Sequence, residues 1–195
     1  MTPALKALLD GLEEFGHSND DVTTDRPRRM LNITRDTGEF LSVMVRVMGA
    51  KRVLEIGTSN GYSTLWLADA VCATAGKAST VEMSKYKIAM AKKNFAESGL
   101  AGYITQIEGN AGDVLNRTEN AAIDIVFLDS ERSEYVGWWP DLKRILRRGG
   151  LLIVDNVTSH AEEIAHFIKT IQEDGDFVTS LVPIGNGEFL ATREK

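Results

Sequence analysis

Two oily runs of the chain end in oxygen donors: Asp129 closes IDIVFLD (123–129), and Asp155 with Asn156 closes LLIVDN (151–156). A lone carboxylate is costly to bury unless something pairs with it, so each run must end in open space or beside a cation. Two carboxylates and an amide oxygen are hard donors that suit Mg²⁺, Ca²⁺ or Mn²⁺, and the set lacks the Cys or His that zinc favours. Aspartate after a strand also commonly caps the next helix. The spacing alone leaves both roles open.

A second stretch with chemical content is VLEIGTSNGYSTLWLA (53–68). A dinucleotide site needs G-x-G-x-x-G so that backbone can approach a pyrophosphate, whereas Thr58, Ser59 and Asn60 separate Gly57 from Gly61. The middle glycine is missing, so a ligand with an adenosine but no pyrophosphate fits better. Its anion would rest on the N-terminus of a helix expected from Asn60. Glu82, closing the next strand, is the expected acidic partner of two ribose hydroxyls. S-adenosylmethionine has this set of parts.

Short strand-like runs alternating with amphipathic stretches must position these residues, which is the pattern of parallel βαβ units and an α/β, Rossmann-like class. Strands are expected over 52–56, 78–82, 104–108, 123–129 and 151–156, and helices over 60–73, 84–97 and 136–146. Nearly continuous apolar runs indicate strands covered on both faces. FVTSLVPIGNGEFLATREK, with Gly185, Asn186 and Gly187 between two β-rich runs, predicts an antiparallel hairpin at the sheet edge. Upstream, Phe40, Leu41, Met44, Val45 and Met48 form one helical stripe, with Asp36 and Glu39 spaced as a capping pair. In such sheets ligands sit beyond the carboxyl ends of the strands, where the order reverses, and Asp129, Asp155 and Asn156 all lie at such ends.

The chain has 195 residues, 43% of them hydrophobic, which is enough for one filled core, and a single domain over 1–195 is expected. A formal net charge of −6 argues against a sequence-independent binder of nucleic acid or anionic membrane, although Arg26, Arg28 and Arg29 form a local basic cluster. The first residues read as an amphipathic helix with no signal-peptide pattern, and no run reaches membrane-spanning length, so a cytoplasmic protein is expected. The single Cys72 cannot form an internal disulfide and reads as structural.

Taken together, these motifs resemble the catechol and caffeoyl-CoA O-methyltransferases and their bacterial relatives, from about Leu31 almost to the C-terminus. VLEIGTSNGYS is similar to the cofactor loop, TVEMSK to the ribose strand, IEGNAGDVL to the adenine-side turn, VFLDSERSEY and LLIVDN to the metal strands, and VPIGNGEFLA to the closing hairpin. The resemblance implies a seven-stranded, mostly parallel methyltransferase sheet with an antiparallel C-terminal hairpin and helices on both faces. It also implies methyl transfer from S-adenosylmethionine to a hydroxyl, a divalent cation and, frequently, a homodimer. By position it makes Asp129, Asp155 and Asn156 metal ligands. It places Ile33, Glu55, Gly57, Ser59, Gly61, Ser63, Glu82, Met83, Ala111 and Asp129 around the cofactor.

The chain departs from that family in two places. Where relatives carry a lysine base after the first metal aspartate, this sequence has Ser130, Glu131 and Arg132. Arginine stays protonated at working pH. Either the cation alone supplies the acidity, or Glu131 is the base and Arg132 holds the developing oxyanion. The longer insertion common after the second metal strand is also absent, which implies a more open acceptor side. His160 near Asn156, and Trp138 and Trp139 on the following helix, could face the acceptor, though solvated or core roles suit them as well. Three readings follow: a metal-dependent O-methyltransferase of small catechol-like or other vicinal-oxygen acceptors, an RNA hydroxyl methyltransferase using the basic segment, and a non-catalytic S-adenosylmethionine-binding partner.

Overall fold

The computed structural model describes residues 1–194. Its centre is one seven-stranded sheet of order β3-β2-β1-β4-β5-β7-β6. The strands are β1 (Arg52–Ile56), β2 (Lys77–Glu82), β3 (Ile104–Glu108), β4 (Ile123–Leu128), β5 (Leu146–Val154), β6 (Phe177–Val182) and β7 (Glu188–Arg193). The helices are α1 (Pro3–Val22), α2 (Arg35–Val47), α3 (Tyr62–Ala73), α4 (Lys85–Ser98), α5 (Ala111–Arg117), α6 (Tyr135–Ile145) and α7 (Ala161–Gln172). The first five strands run parallel, and β7 pairs antiparallel with both β5 and β6.

Strand alternation explains the oily runs. Val53, Ile125, Phe127, Leu151 and Ile153 pack on one face with Leu9, Leu41, Val45, Leu65 and Phe95. Leu54, Ile56, Val126, Leu128, Leu152 and Val154 pack on the other with Leu115, Leu142 and Phe167. Successive residues of β4 thus serve opposite cores, and polar alternation disappears. Helix α3 is itself buried on nearly every side, which accounts for its uniformly apolar sequence.

The C-terminal hairpin lies at the sheet edge as expected, with β6 outermost and β7, last in sequence, between β5 and β6. Other expectations need correction. Strand β5 begins at Leu146 directly after α6, several residues earlier than the apolar run suggests, since Arg147 and the glycines extend the strand before its covered part. Asp36 and Glu39 are not a capping pair. Thr34 precedes α2, and Asp36 in the first turn accepts from the Thr37 amide at 3.0 Å and from the Gly185 amide at 3.2 Å. Cys72 is exposed. Trp139 is a core residue against Phe167 and Phe177, while Trp138 is only partly buried beside Tyr135.

Candidate functional site

The sheet order reverses between β1 and β4, and there the register brings the two motifs together. Ile56 pairs with Leu128, and Leu128 with Val154, so Gly57, Asp129 and Asp155 emerge side by side just past their strands. The ladder continues through the ends: the Asp129 amide donates to the Ile56 carbonyl and the Asp155 amide to the Leu128 carbonyl, each at 3.0 Å. Gly57 has φ 109°, and a Cβ there would overlap the Asp129 carbonyl oxygen. Only glycine permits this approach of the loop to β4.

The loop after β1 is held in place by specific bonds. Ser59, at φ 48°, donates its amide to Glu82 at 3.0 Å and its hydroxyl to the Met30 carbonyl at 2.6 Å. A serine in the left-handed region is strained, and these two bonds hold it there. Glu82 also accepts from the amides of Met83 and Ser84, each at 2.9 Å. Its carboxylate is therefore fixed at the mouth of the loop before any ligand arrives. Helix α3 starts after Gly61; the Asn60 side-chain oxygen accepts from the Tyr62 amide at 3.1 Å, and Gly61 itself supplies no cap to the following amides of the first turn. Ser63, Ala111 and Ile33 are buried, and Met83, next to Glu82, is exposed.

Glu55 is fully buried behind the loop. Its Oε2 accepts from Thr64 and, at 2.6 Å, from Thr80, while Oε1 has no partner. Burial pushes its carboxyl up to about 7, against the pull of the neighbouring hydroxyls of Ser63, Thr64 and Thr80. It faces the loop from below.

Beyond β4 and β5, the Asn156 amide nitrogen lies 3.2 Å from Asp129 Oδ1 and 2.8 Å from Asp155 Oδ2. Asn156 sits at φ 67°, a conformation asparagine tolerates better than other side chains. Neither aspartate caps a helix. Asp155 instead accepts from the next amide, and α7 starts at His160 without a side-chain cap. Asp129 is held well above its ordinary carboxyl value by burial and then by the charges of Asp155 and Glu55, with Arg132 and Lys87 opposing. Asp155 is raised as well, chiefly by burial. Neighbouring donors around a small octahedral cation are about 3 Å apart, and an amide turned over about its last bond presents oxygen instead of nitrogen. The spacing of Asp129, Asp155 and Asn156 therefore suits such an ion. Among the described residues, no group of three or more His, Cys, Asp or Glu side chains could hold one by itself.

Arg132 reaches this cluster from the 3₁₀ turn Arg132–Glu134. Its side chain is 10% exposed, and its Nε donates to Glu163 on α7 at 2.9 Å. Glu131, by contrast, is exposed and accepts from Ser133 at 3.2 Å. His160 is half-buried beside Ser159. The buried Tyr135 hydroxyl accepts from the Ser130 amide at 2.7 Å and steadies the segment after Asp129.

Sequence reasoning missed Glu188. It opens β7, is fully buried, accepts from the Thr37 hydroxyl at 3.1 Å, and lies across the β5–β7 ladder from Asp155. Burial and the neighbouring Asp155 push its carboxyl far above the ordinary range. The available signal was an acidic residue heading an otherwise apolar strand, which matters only once that strand is known to lie inside the sheet.

Comparison with known proteins came to the following. A sequence family described as O-methyltransferase matches residues 12–194. A provisionally named O-methyltransferase of Mycobacterium tuberculosis (strain ATCC 25177 / H37Ra) is 31% identical over 175 residues, covering 83% of this chain and 78% of its own length. Among solved structures, the O-methyltransferase TomG from Streptomyces achromogenes, involved in tomaymycin synthesis and crystallised with SAM, is similar at a TM-score of 0.81 and 26% identity, over 100% of this chain and 91% of that one. The SAH-bound Podospora anserina methyltransferase PaMTH1 is similar in fold, with a TM-score of 0.83 at 22% identity over 100% of this chain and 89% of that one.

Proposed function

Because the chain belongs to the O-methyltransferase family, we propose that it transfers the methyl group of S-adenosylmethionine to a hydroxyl of a small acceptor with vicinal oxygens, assisted by a divalent cation. The observation that carries the cation is the Asn156 side chain within 3.2 Å of both Asp129 and Asp155 at adjoining strand ends. S-adenosylmethionine as donor rests on the loop with Glu82 fixed at its mouth, and on similarity to TomG crystallised with SAM.

Each residue has a definable task. Glu82, its carboxylate already oriented by three backbone amides, takes the ribose hydroxyls. The loop from Gly57 to Gly61 lets backbone approach the donor, and the start of α3 receives its carboxylate. Asp129, Asp155 and Asn156 would hold the cation, which supplies Lewis acidity to the acceptor hydroxyl when bound. Arg132, anchored at Nε by Glu163, turns its remaining N–H groups to the oxyanion that forms as the hydroxyl proton leaves. Glu131 lies at the surface, so proton release goes to water on the open acceptor side rather than to a lysine as in relatives.

The test is transfer of labelled methyl from S-adenosylmethionine to 3,4-dihydroxybenzoate, with Mg²⁺ and after exhaustive chelation. Turnover that needs the ion supports the reading; full turnover after chelation removes the cation from it. One observation favours RNA as the alternative acceptor: Arg26, on an exposed turn, lies close enough to Glu163 to lower its proton affinity. Salt-sensitive RNA binding that Arg26→Ala weakens would move the assignment there.

A further inference from the structure

Glu188 is the buried acid that the proposed chemistry does not use, and its surroundings are unusual for a strand residue. Its Oε1 accepts from Thr37 at 3.1 Å, whereas Oε2 finds no ordinary donor, and the side chain is 0% exposed. A buried polar atom left in this way is costly unless some neighbour uses it. The neighbour is Asp155: Val154 pairs with Phe189 across the antiparallel β5–β7 ladder, so the next residues, Asp155 and Glu188, lie opposite each other, both buried. Glu188 does not complete a cage of acidic ligands with Asp129 and Asp155, since no group of three or more His, Cys, Asp or Glu among the described residues could hold an ion. Its contact is with the Asp155 side chain itself.

The other side of Glu188 is equally constrained. Thr37 is buried in the first turn of α2, and the same turn grips the loop that leads into β7 through the bond from the Gly185 amide to Asp36. Gly185 has φ 54°, and a Cβ there would overlap the hydroxyls of Thr34 and Thr37. The loop is thus pressed onto α2 where Glu188 enters the sheet, leaving its carboxyl no alternative site.

Resting on the cation reading above, we infer that Glu188 is a positioning residue for Asp155: clamped by Thr37 on α2, it holds the Asp155 carboxyl in the orientation that receives the divalent cation. Groups behind a ligand commonly change metal affinity about 10- to 100-fold when lost. Helix α2 is thereby tied to the cation site through Thr37.

Mn²⁺ titration of the purified full chain, followed by calorimetry and by the loss of free-ion paramagnetic signal, tests this without an acceptor. S-adenosylhomocysteine affinity reports whether each variant keeps its fold. Glu188→Gln retains shape and hydrogen bonding and should stay within about 3-fold of the unsubstituted chain. Glu188→Leu retains only volume and should weaken Mn²⁺ at least about 10-fold, with cofactor affinity unchanged. Thr37→Val, which frees Glu188 on its far side, should weaken Mn²⁺ by about 3-fold, and it decides the matter if Glu188→Leu does not fold. Unchanged affinity in the deciding variant overturns the inference. Equal loss in Glu188→Gln and Glu188→Leu also overturns it, by making Glu188 itself a charged ligand. No Mn²⁺ binding in the unsubstituted chain overturns the cation reading, and this inference with it.

Discussion

Asp124 and Asp129 stand at opposite ends of β4 and experience opposite environments. Asp124 accepts from Arg147 at 2.5 Å and from the amides of Lys51 and Arg52, each at 2.8 Å, and these partners hold its carboxyl below the usual range despite partial burial. Asp129 has burial and the charges of Asp155 and Glu55 against it, relieved mainly by Arg132, and its carboxyl is held well above that range. One end of the strand is electrostatically satisfied and stabilises the sheet. The other end is left in want of positive charge, which is the condition of a site that receives a cationic ligand. The same strand thus carries a satisfied carboxyl at one end and an unsatisfied one at the other.

The largest expected effect breaks the functional end. Asp155→Ala should lower cation-dependent methyl transfer by about 10²- to 10³-fold, the scale for losing one preorganised electrostatic group, while calorimetry shows S-adenosylhomocysteine bound within about 2-fold of normal. Equal loss of both would mean that the strand end had collapsed.

A pH series sharpens the contrast next. The folded-state carboxyl of Glu55 is pushed up to about 7 from a reference of 4.5, so between those values the folded chain holds a proton that the unfolded chain has released. Stability from this group is therefore fully present below pH 4.5 and is lost as pH rises toward 7, by on the order of 3 kcal/mol. Urea unfolding across that window should show the decline, and Glu55→Gln should flatten it.

At the satisfied end, Asp124→Ala should cost about 2 kcal/mol in urea unfolding, because it strands two backbone amides and a half-exposed arginine. Cofactor affinity of the folded fraction should not change. The smallest effect has the opposite sign. Asp129→Asn should stabilise the chain by about 1 kcal/mol at pH 8, since it removes a carboxylate from a place that disfavours its charge. If both substitutions destabilise equally, the division between strand ends is wrong.

Much of this was legible in residue types and order. The strands ending at Ile56, Glu82 and Glu108 follow from short apolar runs bounded by turn residues, and the helical stripe of Leu41 and Val45 does reach the core. Asp129, Asp155 and Asn156 could be paired in advance because parallel strands end on the same side of a sheet, so local sequence already implies nearness. Glu131 and Arg132 could not be ranked, because adjacent residues leaving a strand point in different directions. Only packing shows that Arg132 turns inward to Glu163 and the aspartates while Glu131 stays at the surface.

Glu188 marks the boundary between the two kinds of knowledge. Local pattern determined that GNGEFLATR (185–193) forms a turn followed by a strand, since glycine and asparagine permit the turn and alternating apolar residues suit a sheet. It paired that strand with the run before the turn but could not determine the neighbour on its other side, because a pairing partner distant in sequence leaves no local trace. Tertiary structure decided that β7 slips between β5 and β6, next to Val154 and under the first turn of α2. That placement turns an ordinary acidic residue at the head of a strand into a buried group pressed between Thr37 and Asp155.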